Sequence, residues 1–230
     1  QIGEKEILNR LKKFMPIGQI DDDTAQIDPF GQDILINTDV LVEDVHFSNK
    51  TTSAEDIGWR AIATNLSDLA CSGTDQILGI TVGMIAPSNT SWTWVEGVYT
   101  GIEKALEEFG GKIIGGDCSC GKQKVLSITA IGTVGPLRLH RSHALDGDFL
   151  MASGPHGLSR LGLALLLSDP LVKTKQLSKK LKTKAIEAHK RPIPPLDALR
   201  ALEKCKPNNL PWRAAGTDSS DGLIEAVQNL

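Results

Sequence analysis

Helical and extended spacings of apolar residues alternate along the chain and predict a protein of mixed α and β structure. Apolar positions three and four residues apart indicate helices over 4–14, 53–71, 91–109 and 158–167, and on both sides of 191–195. Short apolar runs indicate strands over 33–39, 45–47, 76–85, 112–114, 124–134 and 148–152. Elements in this order are typical of an α/β fold of the α+β type.

Local signals mark the ends of these elements and a domain boundary. Ser53 followed by Asp56 has the pattern of a helix N-cap with an acid at the reciprocal position, and Gly73 stands where that helix should end. Gly135-Pro136 is the best linker candidate. We therefore expect a first domain over 1–135 and a partial second domain over 136–230.

Composition excludes several classes of protein. The 230 residues are 40% hydrophobic with a net charge of −3, which suits globular domains with a sizeable core. No basic patch of the kind that binds nucleic acid is visible, and no apolar run reaches the roughly 18 residues that span a membrane. The N-terminal residues lack the charged and apolar regions of a signal peptide, so we expect a cytoplasmic protein. The four cysteines are too few for a disulfide scaffold, and Cys118 and Cys120 lack two further nearby ligands for zinc.

Aspartates in unusual places carry the most informative chemistry. Three are consecutive over 21–23, and Asp39 ends an apolar strand. Asp68 lies within a predicted helix, on a face of apolar and small residues, where a lone carboxylate would be costly to bury. Asp218 and Asp221 bracket two serines in a turn. Each acid alone has an ordinary explanation as a solvated turn, a strand end or a local hydrogen-bonding group.

Together these acids predict a site for magnesium and phosphate. Mg²⁺ prefers a few carboxylates, with waters and substrate phosphates as its other ligands. Asp117 follows Gly115 and Gly116, where a strand should open into a glycine turn whose backbone amides can approach a phosphate. The chain has neither a P-loop nor the glycine fingerprint of dinucleotide-binding proteins.

Seven stretches, in order and over almost the whole chain, resemble the thiamine-monophosphate kinases of the aminoimidazole-ribonucleotide-synthetase-like (PurM-like) superfamily. The stretches are 22–25, 37–43, 45–47, 63–70, 115–117, 141–142 with 147–148, and 218–223. The resemblance implies a PurM-like first domain with a mixed sheet and helices, a homodimer in which the first-domain sheets meet, and a partial α+β second domain. It also implies Mg²⁺-dependent phosphoryl transfer from ATP to thiamine phosphate.

The resemblance assigns roles to individual residues. The expected ligands of several magnesium ions are Asp23, Asn37, Thr38, Asp39, Asp68, Asp117, Asp218 and Asp221. The expected contacts to ATP are Gly116, Asp117, Arg141 and Ser220. His46 would contact the thiamine phosphate. Arg141 also makes physical sense unaided, because a guanidinium binds phosphate oxygens well.

Departures from the family pattern leave alternatives open. Asp21 replaces a usual glycine, Asn37 a serine or threonine, and 118–121 replace threonines and an arginine, so a basic phosphate contact is missing. The family continues past the 218–223 motif into a segment that holds the thiamine, so we expect an incomplete acceptor site and slow or absent turnover. One alternative is a truncated, non-catalytic homologue that binds Mg²⁺-ATP. Another is a related ATP-using enzyme, such as a selenophosphate synthetase or a hydrogenase maturation protein, but these use a reactive cysteine near one terminus.

Overall fold

A five-stranded sheet organises the first half of the chain. The computed structural model describes residues 25–27, 33–173, 176–206 and 213–230; the predicted helix over 4–14 and the aspartates over 21–23 lie outside them. The strands are β1 (Ala25–Ile27), β2 (Ile34–Val42), β3 (Thr74–Ala86), β4 (Ile113–Cys120) and β5 (Val125–Val134). Their order is β1-β2-β5-β3-β4, with β3 and β4 parallel and the other neighbours antiparallel. The predicted α+β fold is confirmed.

Two long helices, α1 (Ala54–Cys71) and α2 (Trp92–Phe109), cover one face of the sheet. The predicted capping box begins α1, because Ser53 Oγ accepts from the Asp56 amide at 3.1 Å and Asp56 Oδ2 accepts from the Ser53 amide at 3.4 Å. Gly73 follows the helix with a φ of 86°, a left-handed conformation that glycine adopts without strain. Local signals therefore predicted this helix correctly at both ends.

Glycines allow α1 and α2 to pack with their backbones in contact. A Cβ atom at Gly58 would lie 1.9 Å from the carbonyl oxygen of Val98, and one at Gly101 would lie 1.9 Å from that of Glu55. Around this contact the core contains fully buried side chains from both helices and from the sheet, including Ile62, Ile102 and Ile128. This close packing fixes α1 against β2, where several of the predicted site residues lie.

The opposite face of the sheet is not covered by any helix or strand among the residues that the structure describes. Val40 and Ile85 point to this face and are 45% and 40% exposed. The hydroxyls of Thr38 and Thr129 lie 2.8 Å apart on the same face. We call this surface, with its apolar and threonine side chains, the uncovered face.

The second half of the described chain is helical. It contains a short 3₁₀ turn (Arg141–His143), α3 (Leu158–Leu166), α4 (Pro170–Lys173), α5 (Lys179–Lys190), α6 (Leu196–Lys204) and α7 (Leu223–Gln228). The predicted helices over 158–167 and around 191–195 are confirmed. Within the described ranges no helix has both the length and the apolar character needed to cross a membrane.

Two predicted extended segments are wrong. Residues 148–152 form no strand, because no strand among the described residues after Val134 lies beside them, and the Phe149 side chain is 98% exposed. Residues 44–46 form a turn in which Asp44 has a φ of 63°, and only an isolated bridge joins Glu43 to Phe47. An apolar run becomes a strand only when a neighbour completes its hydrogen bonds.

Helix α1 also anchors the second half of the chain. Arg191 follows α5 and donates from Nε to Asp56 Oδ1 at 2.8 Å and from Nη2 to Glu55 Oε1 at 2.7 Å. The Trp59 indole donates to the carbonyl oxygen of Pro192 at 2.8 Å. The first turns of α1 therefore bind the helical half through the two salt bridges of Arg191 and the indole hydrogen bond of Trp59.

Candidate active site

A buried amide network joins β2 to α1 in the middle of the candidate site. Asn37 Nδ2 donates to Asp68 Oδ2 at 2.7 Å and to Asn65 Oδ1 at 3.2 Å. Asn65 Oδ1 also accepts from the Asp39 amide at 3.2 Å, and Asn65 Nδ2 donates to the Ala61 carbonyl at 2.8 Å. The structure therefore brings the predicted residues Asn37, Asp39 and Asp68 together, on the face of the sheet that α1 covers.

Asn37 presents an oxygen suited to a cation. Its side chain is only 6% exposed, and its Oδ1 is buried without a hydrogen-bond partner in the part of the chain that the structure describes. Leaving a buried carbonyl oxygen unpaired costs free energy, so such an atom calls for a ligand. An amide oxygen beside a carboxylate is a hard donor set of the kind that magnesium accepts.

Asp39 lies in a negative environment. Burial raises the pKa of this carboxyl and the nearby Asp218 carboxylate raises it further, with a smaller contribution from Asp221. A hydrogen bond from Thr64 and the charge of His46 act in the opposite direction. The structure therefore places four predicted site residues within electrostatic range of one another. Asp39 does not end its strand as predicted, because β2 continues to Val42.

The segment before α7 reaches this cluster by passing the end of α1. A Cβ atom on Gly216 would lie 2.1 Å from the Cys71 carbonyl oxygen, so the two backbones are in contact. Two residues further on, Asp218 Oδ1 lies 3.7 Å from Arg141 Nη2, and Asp218 Oδ2 accepts from the Ser220 amide at 3.1 Å. Arg141 and Ser220, which were predicted to contact ATP, therefore lie beside Asp218, which was predicted to bind metal.

Two supporting residues escaped sequence reasoning. Arg213 donates to both carboxylate oxygens of Asp148 at 2.5 and 2.6 Å and to the His143 carbonyl at 2.8 Å. These bonds, followed by one from the Leu145 amide, lower the pKa of Asp148 to about 2. His156 Nε2 lies 3.1 Å from Ser219 Oγ. No local pattern could reveal either contact, because the partners are more than 60 residues apart.

Asp117 and Gly116 lie elsewhere in the fold. Gly116 occupies the same cross-strand row as Asp39, three strands away, at about 14 Å for strands spaced about 4.8 Å apart. The Asp117 side chain points to the uncovered face, because successive residues of a strand alternate. The predicted glycine turn is wrong, since β4 continues through these residues to Cys120. Gly116 has a packing role there, because a Cβ atom would lie 2.2 Å from the Val82 carbonyl oxygen.

The remaining predicted residues vary in their placement. His46 lies in the turn after β2, where its Nδ1 accepts from the Val42 amide at 3.0 Å. Thr38 directs its hydroxyl to Thr129 on the uncovered face, away from Asn37 and Asp39. Asp23 lies outside the described residues. Within the described ranges no three His, Cys, Asp or Glu side chains are close enough to form a metal site by themselves.

Comparison with known proteins identifies the relatives of this chain. Residues 21–134 match the family described as AIR synthase related protein, N-terminal domain. A thiamine-monophosphate kinase from Prochlorococcus marinus is 64% identical over 229 residues, which are 100% of this chain and 69% of the relative. One from Synechococcus elongatus is 43% identical over 99% of this chain and 68% of the relative.

A solved structure gives the same result. AaThiL complexed with AMPPCP and TMP matches with a TM-score of 0.78 at 30% identity, over 88% of this chain and 63% of that chain. The chain thus spans about two thirds of the length of these relatives. These relatives favour the predicted kinase family over the other enzymes of the superfamily.

Proposed function

The chain belongs to the thiamine-monophosphate kinase family, and we propose that it transfers the γ-phosphoryl group of ATP to thiamine phosphate, giving ADP and thiamine diphosphate. The observation that carries this proposal is that Asp39 lies within electrostatic range of Asp218, whose Oδ1 is 3.7 Å from Arg141 Nη2. Acids that repel one another, next to a guanidinium, suit a site where cations and phosphates bind together. A relative whose structure is named as a complex with AMPPCP and TMP supports the choice of ligands.

The donor set fits Mg²⁺, because it combines carboxylates with the unpaired Asn37 Oδ1. We propose as its ligands Asp23, Asn37, Asp39, Asp68, Asp218 and Asp221. Bound magnesium neutralises phosphate charge and polarises phosphoryl oxygens. The side chains of Thr38 and Asp117 lie on the uncovered face. We propose that they contribute to a site at this face that a second copy of the chain completes when it packs there.

The side chains of this chain mainly hold and orient two polyanions. We propose that Arg141 and Ser220 bind ATP phosphates, with the backbone at Gly116 as a further contact, and that His46 lies next to the acceptor. The acceptor is a phosphate monoester with a second pKa of about 6, so it is largely dianionic at neutral pH and needs little help from a general base. Alignment and charge neutralisation therefore carry the catalysis.

We further propose that the protein is a cytoplasmic homodimer. The uncovered face supports the dimer, because Val40 and Ile85 are exposed there and a second copy would bury them. Sedimentation at micromolar concentration tests the assembly, and a monomer would contradict it. Substitution of Val40 by Lys should weaken the dimer, whereas the same change at the exposed Leu171, outside this face, should not.

An ADP-release assay with and without thiamine phosphate tests the reaction. We expect slow ADP release that needs both magnesium and the acceptor, and its loss in Asp39→Asn. Asp197→Asn is the matched control, because Asp197 is an exposed acid on α6 away from the site. Binding of Mg²⁺-ATP without any ADP release would favour the non-catalytic alternative, and release that ignores thiamine phosphate would contradict the proposed acceptor.

A further inference from the structure

Asn65 is a buried polar residue in the site to which no role has yet been given. It lies in α1 with no exposed surface, between the sheet and the helix backbone. Both ends of its side-chain amide are used, since Nδ2 donates to the Ala61 carbonyl and Oδ1 accepts from Asn37 Nδ2 and from the Asp39 amide. Burying an amide costs desolvation free energy, which its hydrogen bonds offset, and here three such bonds also fix its orientation.

The bonds of Asn65 set the orientation of a second amide. The Ala61 carbonyl can only accept, so it fixes Asn65 Nδ2 toward the helix and Asn65 Oδ1 toward β2. That oxygen accepts from the Asp39 amide and can only be approached favourably by a second donor, so Asn37 turns its Nδ2 rather than its Oδ1 toward Asn65. Asn37 Oδ1 then points the other way, and it is this atom that is buried without a partner.

The same orientation holds an acid in place. Asn37 Nδ2 donates to Asp68 Oδ2 at 2.7 Å as well as to Asn65. If the Asn37 amide reversed, an oxygen would face both Asp68 Oδ2 and Asn65 Oδ1, and three acceptors would repel one another. Asn65, together with the Asp68 carboxylate, therefore keeps Asn37 Oδ1 turned away from both of them and Asn37 Nδ2 bound to Asp68.

We propose that Asn65 is the positioning residue of this site, an amide relay that directs Asn37 Oδ1 and the Asp68 carboxylate toward a divalent cation while holding Asp39 on β2. The inference rests on the proposed function for the identity of the cation. The hydrogen bonds of the relay are present without metal, so this part of the inference does not depend on the proposed function. Groups that orient metal ligands commonly change metal affinity about 10–100-fold when they are removed.

The first experiment measures the relay without metal or nucleotide. In ¹⁵N-edited NMR spectra of the purified chain, the Asn37 side-chain NH₂ should give two well-separated, slowly exchanging signals. Asn65→Leu, which keeps the branching of the side chain and removes all three hydrogen bonds, should collapse or broaden them. Asn65→Ser serves the same purpose if the leucine variant does not fold. Unchanged Asn37 signals in a folded variant would overturn the relay, whatever the protein catalyses.

The second experiment connects the relay to the cation. Mn²⁺ affinity in the presence of a non-hydrolysable ATP analogue should fall about 10–100-fold in Asn65→Leu. Ile102→Val, a buried change on α2, is the control for loss of stability and should leave affinity within about twofold. In an Asn37→Ala background, Asn65→Leu should have a much smaller effect on log affinity, because only its bond to the Asp39 amide is then left to lose.

The outcomes separate the two proposals. Equal losses from Asn65→Leu with and without Asn37 would assign Asn65 a merely structural role and overturn the inference. If the unsubstituted protein bound neither Mn²⁺ nor the nucleotide analogue, the proposed function would fail, and the NMR experiment would still decide whether Asn65 orients Asn37.

Discussion

Asp39 on β2 and Asp218 before α7 interact electrostatically, although they lie near opposite ends of the described chain. Burial raises the pKa of Asp39, and the Asp218 carboxylate raises it further. A carboxyl whose folded-state pKa is raised costs stability once it ionises, so this cluster is strained in the absence of a cation. The strain is what a site for a divalent ion and a phosphate would need.

Asp39→Asn should therefore lower nucleotide affinity while raising the stability of the metal-free protein. The amide keeps the shape of the side chain and removes the charge, so Mg²⁺-dependent nucleotide affinity should fall at least tenfold. The metal-free variant should be more stable than the parent at neutral pH, with the difference shrinking as pH falls and Asp39 becomes protonated in the parent. Calorimetry with a nucleotide analogue and urea unfolding measure the two effects.

Asp68→Asn is the companion change, because Asp68 lies in the same network. It should likewise lower Mg²⁺-dependent nucleotide affinity at least tenfold and leave the fold intact. Unchanged affinity in both variants would show that these acids are not metal ligands.

Arg191→Gln should loosen the helical half of the chain. The guanidinium bonds Asp56, which is only 6% exposed, and Glu55, so its loss leaves a largely buried carboxylate with weaker partners. We expect a loss of about 2 kcal/mol in the free energy of unfolding. Lys104→Gln is the matched control, because Lys104 pairs with Glu55 at an exposed site and should cost less than about 1 kcal/mol. Equal losses from the two changes would contradict the anchoring role.

The pKa of His189 makes stability depend on pH. Burial, with the charges of Arg60 and Lys190, lowers it from 6.5 to about 4. The unfolded chain then binds more protons than the folded one between these values, so stability is complete above pH 6.5 and falls as pH drops toward 4. The loss should approach about 3 kcal/mol. His189→Gln should flatten this slope in urea unfolding between pH 4.5 and 7.5, and the exposed His156→Gln should not.

Local interactions made much of the fold predictable. The capping box at Ser53 and the glycine stop at Gly73 lie within a few residues of α1, so sequence spacing located that helix. The strand expected over 148–152 failed because strand formation depends on a partner, and apolar spacing carries no information about one. The glycine turn expected before Asp117 failed for the reverse reason, since pairing with β3 kept this segment extended through two glycines.

The residue types of the candidate site could be predicted from the sequence, whereas the residues that orient them could not. Asp39 and Asp68 stood out because acids on apolar elements are unusual, and Asp218 stood out because it brackets two serines together with Asp221. The contribution of Asn65 depends on which end of an amide faces which neighbour, and that is decided by the crossing of α1 over β2. Sequence alone can identify groups that carry charge, whereas their orientation comes from tertiary contacts.

Arg213→Gln provides the last test, because it acts on Arg141 from a distance. The bonds from Arg213 to Asp148 and to the His143 carbonyl fasten the loop that carries Arg141 toward Asp218. Both partners of the ion pair are well exposed, so the free energy of unfolding should change by less than about 1 kcal/mol. The apparent KM for ATP should nevertheless rise several-fold, since a displaced guanidinium binds phosphate less well. Reversing the pair, with Asp148→Arg and Arg213→Asp together, should restore part of the affinity if the pair fastens the loop. An unchanged KM in Arg213→Gln would show that the loop holds Arg141 without this contact. A KM as high in the reversed pair as in Arg213→Gln would show the same.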